Sequence, residues 1–299
     1  MSVEAGPDPK AAYGLTALAA AAMAVVAAVG GLAPGRLYRD NPLIAATFRG
    51  QDAVTLAVAV PLLVTGLVLE RRGSRRGRLL WLGMLFYALY SYLFYTFGAA
   101  FNAFFLLYVA IVGLALYALL ASLPWIDLRS PGIDPGARTA RVLGITYLLV
   151  VAAGLGALWT GLSISSMISG TVPAPIVASG HPTGVVFAID LVLIVPPMVL
   201  GAIGMIRRRP AGEAVAVMMC ISGTVYTLSL GAASVAVLRA GLGTGEELGL
   251  WSFLTLFGAI VTALLLRAVP ARNASPVRDA SPVRDASPVR DATPAPPAR

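Results

Sequence analysis

The sequence predicts an all-α protein, a polytopic membrane bundle of about eight transmembrane helices. Three observations predict it. Hydrophobic residues fill 58% of the 299 positions and charged residues only 12%, and the mean hydropathy is +0.82, well beyond what a soluble domain carries. Crossing the hydrocarbon core takes about 20 consecutive apolar residues, and the chain supplies eight such runs. The basic residues gather at alternate ends of those runs, as they do when flanking loops set topology.

The first run, residues 12–33, is too long for a signal-peptide core, follows GPDPK with a single lysine and lacks an A-x-A exit. It is read as a retained anchor. The second, 52–69, opens at Gln51 and Asp52. The third, 79–98, and the fourth, 101–123, are separated only near Gly98 to Asn102, and together they hold more apolar residues than one crossing uses, so they form a hairpin. The fifth to eighth runs cover 142–165, 184–206, 213–238 and 249–268. The domain organisation is therefore a short segment, 1–11, a bundle over 12–268 with halves at 12–123 and 142–268, and a tail over 269–299. The tail repeats ASPVRD from 274, 280 and 286. Its Pro-rich, apolar-poor composition cannot bury enough surface to offset ordering entropy, so it is expected to be disordered.

Of the 22 lysines and arginines, all but Arg36, Arg39, Arg49 and Arg239 fall on one side. That places both termini in the cytoplasm. The net charge of +8 is then mostly topology, and no nucleic acid partner is expected. Membrane lipids are the expected surroundings, basic residues near the membrane adding weak contacts to anionic lipid. Self-association is left open.

A longer repeat is visible inside the bundle. Pro61, Arg71, Arg72 and Tyr90 recur 136 positions later as Pro197, Arg207, Arg208 and Tyr226. Asp52 and Asp190 stand two positions out of that register. An offset spanning four helices, an even number, predicts two parallel four-helix repeats.

The candidate site follows from the polar residues. VVFAIDLVLIVPPMVLGAIGMIRRRP puts one carboxylate, Asp190, inside an otherwise apolar run, and an ionisable residue at membrane depth is expensive enough to suggest function. It lies roughly 10 Å inside the outer boundary, counted at the helical rise. The structural alternative is an acid hydrogen-bonded to a tyrosine or paired with an outer-loop arginine. Asp52 and Gln51 are placed at the outer mouth of span two, where an acid complements the helix dipole. Tyr95 and Ser91, with Tyr87 below, share a stripe at spacings of four, and Asn102 opens span four. His181, the one histidine, lies in the loop SSMISGTVPAPIVASGHPTG. Pro196 and Pro197 should free backbone carbonyls near Asp190. Gly31 with Gly35, and Gly154 with Gly156, allow close helix packing. The candidate ligand-binding set is thus Asp190, Asp52, Gln51, Tyr95, Ser91, Asn102 and His181.

Several chemistries are excluded. One histidine rules out bis-His haem ligation and HExxH zinc sites, the lone Cys220 rules out an intrachain disulfide and a cysteine cage, and no P-loop occurs. No metal or cofactor is expected.

The run GQDAVTLAVAVPLLVTGLVLERRGSRRGRLLWLGMLFYALYSYLFYTFGAAFNAFFLLYVA, with IDLVLIVPPMVLGAIGMIRRRPAG, resembles an uncharacterised family of bacterial multi-pass inner-membrane proteins. The resemblance covers spans two to four and six to seven. It implies a bacterial inner-membrane location and carries no assigned activity, so no residue role transfers from it. The expected function is binding or transport of a small molecule, of unknown identity, through a polar site in the outer half of the bundle, proton-coupled at Asp190. The alternatives are an intramembrane enzyme acting on a lipid or quinone-like substrate and a non-transporting sensor or assembly factor.

Overall fold

A computed structural model describes residues 9–33, 35, 37–122 and 132–271. The segment 1–8 and the ASPVRD repeats fall outside the described residues. Eight helices long and apolar enough to cross a membrane are present: α1 (Pro9–Leu32), α2 (Pro42–Arg71), α3 (Arg75–Gly98), α4 (Phe105–Ser122), α5 (Arg138–Ser169), α6 (Val185–Ile206), α7 (Pro210–Arg239) and α8 (Glu247–Ala268). No strand occurs among the described residues. Large apolar side chains such as Phe97, Leu106, Met167, Val192 and Phe253 point outward, as expected of a surface solvated by lipid tails.

One helix start and one helix end explain where the sequence reading missed boundaries. Asn41 caps α2, its side chain accepting from the Ile44 N–H at 2.9 Å with Pro42 at the first helical position, the arrangement that favours initiation. Span two therefore begins ten residues earlier than expected. Asp52 and Gln51, expected at its mouth, sit three turns inside the helix, so the helix-dipole role does not apply to Asp52. At the same end of the bundle α5 runs on to Ser169 and stops at Gly170, whose φ of 68° is a left-handed C-cap, a conformation that costs glycine little.

Packing is matched between the two halves. Helix α1 packs on α2 and α4, as α5 packs on α6 and α8; α2 packs on α3 and α3 on α4, as α6 packs on α7 and α7 on α8; and α3 meets α7 across the centre. These helix-to-helix contacts recur in the first four helices and the last four, whereas α2 packs far more closely on α7 than α6 does on α3. Lipid gives helices no hydrophobic reason to associate, so close approach of small residues does that work. In α1 the buried stripe is Ala17, Ala20, Ala21, Ala24, Ala27 and Ala28. The α2–α3 hairpin closes where Gly66 meets the backbone of Trp81 and Gly77, and the α6–α7 hairpin closes where Gly204 meets Gly212. Of the weakly signalled glycines in the sequence, Gly31 is tightly enclosed, whereas Gly35 and Gly154 face open space.

Each half carries one wide turn of π-helix, Thr55–Ala59 in α2 and Asp190–Ile194 in α6. The cause is the proline that follows. Val60 N–H reaches back five residues to the Thr55 carbonyl and Val195 N–H to the Asp190 carbonyl, immediately before Pro61 and Pro196, which have no N–H of their own. The prolines that correspond in structure are thus Pro61 and Pro196, at an offset of 135, while the arginines and tyrosines keep 136.

The arginine-rich end is tied together by ion pairs and backbone contacts. Buried Arg141 pairs with Glu213 and donates to the Met205 carbonyl at 3.0 Å, and Glu213 also accepts from the Ile133 N–H at 2.6 Å. Arg78 pairs with Glu70 at 3.2 Å, and Arg76 donates to the carbonyls of Val269 and Arg267.

Candidate functional site

Helix α3 is the axis on which the polar residues hang. In its apolar stretch 83% of residues are buried, against 17% in α8, so its tyrosines face other helices rather than lipid. Two separate clusters form along it.

The first surrounds Asp52, which is 1% exposed. One carboxylate oxygen accepts from the Tyr38 hydroxyl and the other from Tyr95 at 3.1 Å. Burial, with the carboxylate adding to it, holds the Tyr38 hydroxyl well above the ordinary phenol range, so it stays a donor. Phe48, Tyr92 and Tyr108 pack their rings around Tyr95. Gly31 of α1 closes the last side: a Cβ there would strike both the Asp52 carboxylate and the Tyr38 hydroxyl. Asp52 lines neither of the two cavities found among the described residues.

The second cluster surrounds Asp190. Tyr90 donates to one oxygen at 2.5 Å and the Trp159 indole N–H to the other at 2.7 Å. Tyr226 lies 3.1 Å from the Tyr90 oxygen, and since Tyr90 donates to the acid, Tyr226 donates to Tyr90. The two tyrosines that repeat at the 136-residue offset therefore touch each other, ring edge to ring face, at 4.6 Å between centroids. Trp159 is held flat against Phe187, 4.2 Å apart and 18° from parallel. Among the described residues neither Asp190 nor Asp52 has an ion-pair partner, so the expected alternative of an outer-loop arginine is replaced by tyrosine and tryptophan donors.

Beside this second cluster a cavity of about 200 Å³ opens at the arginine-poor end. Its walls include Gln51, Phe94, Trp159, His181, Phe187 and Tyr226. It exists because the two halves differ. Helix α2 runs for thirteen residues before its wide turn, Pro42–Val54, and packs closely on α7, with Gly50 against Ala232 and Ala233. Helix α6 has only five, Val185–Ile189, before its own, and the preceding chain is a loop with a short helix, Ala174–Ser179, pinned by Asn41 donating to the Ala178 and Ser179 carbonyls at 3.0 Å. The missing turns of α6 leave the space.

No family model, curated protein or solved structure matches the chain.

The structure divides the sequence-derived candidates rather than uniting them. Asp190 stands behind the cavity wall; Gln51 and His181 line the cavity itself. Gln51 is 5% exposed and its side chain makes no hydrogen bond, and His181 Nε2 is buried without a partner against the Phe94 ring. Asp52 and Tyr95 belong to the filled cluster. Ser91 is buried in α3 one turn from Tyr87, whose hydroxyl bridges Thr55 and Ser229 at 3.0 and 2.8 Å. Asn102 is a local cap, accepting from the Phe104 N–H and donating to the Ala100 carbonyl. Trp159, Tyr226, Phe187 and Tyr38 were missed by sequence reasoning. Tyr226 carried a signal in the repeat; a lone tryptophan within an apolar run carried none.

Proposed function

We propose that this multi-pass membrane protein binds a small solute in the cavity at its arginine-poor end, taken as the outer face, and moves it across a bacterial inner membrane with Asp190 as the coupling carboxylate. The observation that carries the reading is the cavity itself. Two of its wall residues lead directly to a buried acid, Trp159 by one hydrogen bond and Tyr226 through Tyr90, while two others, Gln51 and His181, present uncommitted polar atoms. Pockets with few convergent polar groups in a mostly apolar lining are the usual form of small-molecule sites. The wide turn at Asp190–Ile194 supports movement, because such turns loosen a helix at functional positions. Asp52 shares no hydrogen-bond partner with Asp190, and nothing in the geometry favours the enzyme reading.

Native mass spectrometry of the gently extracted protein beside its Asp190→Asn variant tests this. A small molecule carried by the wild type and absent from an equally stable variant is the expected result. Equal loading of both, or of neither, together with unchanged flux in proteoliposomes, would overturn it.

A further inference from the structure

We infer that the solute is an organic cation, an ammonium group on a compact apolar or aromatic body; this rests on the cavity being the binding site. Four observations converge. The polar atoms left free toward the cavity include acceptors, the Gln51 amide oxygen and the lone pairs of Tyr226, whose hydrogen is given to Tyr90, beside the Gln51 NH2 and His181 Nε2. An ammonium group supplies the N–H donors that these acceptors lack. Phe94, Trp159, Phe187 and Tyr226 line one small volume, and an ammonium set over a ring face there is stabilised once desolvated. Trp159 donates its N–H to Asp190, which pushes electron density into the indole ring facing the site.

Charge completes the case. No lysine or arginine lines this cavity or the adjoining one of about 390 Å³. The two share Ile44, Thr47, Pro175, Ser179 and Leu230, and the larger carries Glu246 and Glu247 at its rim. Although Arg49 and Arg239 lie on the same face, a lining that carries acids and no lysine or arginine, backed by a carboxylate with no cationic partner, favours cations over anions. Glu247 is steadied there by the Trp251 indole N–H at 3.3 Å.

The test is a charge series on one body: phenethylammonium, 2-phenylethanol and 3-phenylpropionate, titrated calorimetrically into the purified full-length protein. The ammonium should bind about tenfold more tightly than the alcohol, and the carboxylate should not bind measurably. In Asp190→Asn the ammonium should fall to the level of the alcohol, whose own binding stays as in the wild type. Alcohol binding as tight as ammonium binding would overturn the cation inference and leave the cavity reading standing. A preference that survives in a folded Asp190→Asn protein would remove the carboxylate from the argument and overturn the inference as stated. Binding of none of the three would overturn both readings. The wild-type series stands even if the variant fails to fold.

Discussion

Asp52 and Asp190 occupy matching places in the two halves, each next to a wide turn and each bonded by a tyrosine of α3, yet only one adjoins a cavity. At Asp52 thirteen residues of helix run in front of the wide turn, α2 lies tight on α7, and Gly31 lets α1 close over the carboxylate. At Asp190 five residues of helix and a loop stand in the same place. A buried acid with hydrogen-bonded partners is thus ambiguous by itself, because both sites have that. What separates them is whether neighbouring backbone fills the space in front. The first acid fastens three helices together; the second is reachable through two side chains.

The largest expected effect tests the fastening role. Asp52→Leu leaves the Tyr38 hydroxyl buried without its acceptor and Tyr95 with only the Phe48 carbonyl at 3.2 Å, which costs about 3 kcal/mol, read as a lowered Tm of the detergent-solubilised protein. Asp190→Asn should cost under about 1 kcal/mol in the same assay. Its amide oxygen can still accept from Trp159, and its NH2 can donate to Tyr90, whose hydroxyl rotates to donate to Tyr226. If Asp190→Asn were as damaging as Asp52→Leu, the contrast between the two acids would collapse.

A smaller effect tests the closure itself. Gly31→Ala drives a methyl into Asp52 and Tyr38 and should destabilise by about 2 kcal/mol through overpacking, while leaving the affinity of the Asp190 cavity for its ligand unchanged. Gly154→Ala, at a helical position with nothing near its would-be Cβ, should be neutral or stabilising by about 0.5 kcal/mol. Equal losses at the two glycines would mean that the close packing over Asp52 is not what holds that side together.

Much of the bundle was legible because membrane spans announce themselves by length and apolarity, and all eight helices are where the apolar runs are. The start of α2 was not. Residues 42–50 contain Arg49 and read as loop, and only the Asn41–Pro42 cap reveals a helix. That one misplaced boundary set Asp52 at a surface it does not occupy. The site was less legible still. Tyr90 and Tyr226 were visible as a repeat, but that they touch follows from how the halves pack, which no local pattern encodes. Trp159 lies on α5, far in sequence from the acid it bonds. His181 was a candidate by its residue type alone, and only the fold of its loop puts it in the cavity wall.

The same two tyrosines give the finest test, since symmetry makes them alike and the hydrogen bonds do not. Tyr90 both donates to Asp190 and accepts from Tyr226, so Tyr90→Phe deprives two buried groups at once and should cost about 1.5 kcal/mol. Tyr226→Phe removes only the outer donor, leaving Asp190 with both of its partners, and should cost about 0.5 kcal/mol. Thermal unfolding of the pair resolves that difference. Reversed costs would mean that Tyr226, not Tyr90, is the residue that holds the acid. Equal costs would mean that the proton order runs both ways, with the two hydroxyls sharing the carboxylate, and the cavity would then reach Asp190 through a relay rather than past a fixed gatepost.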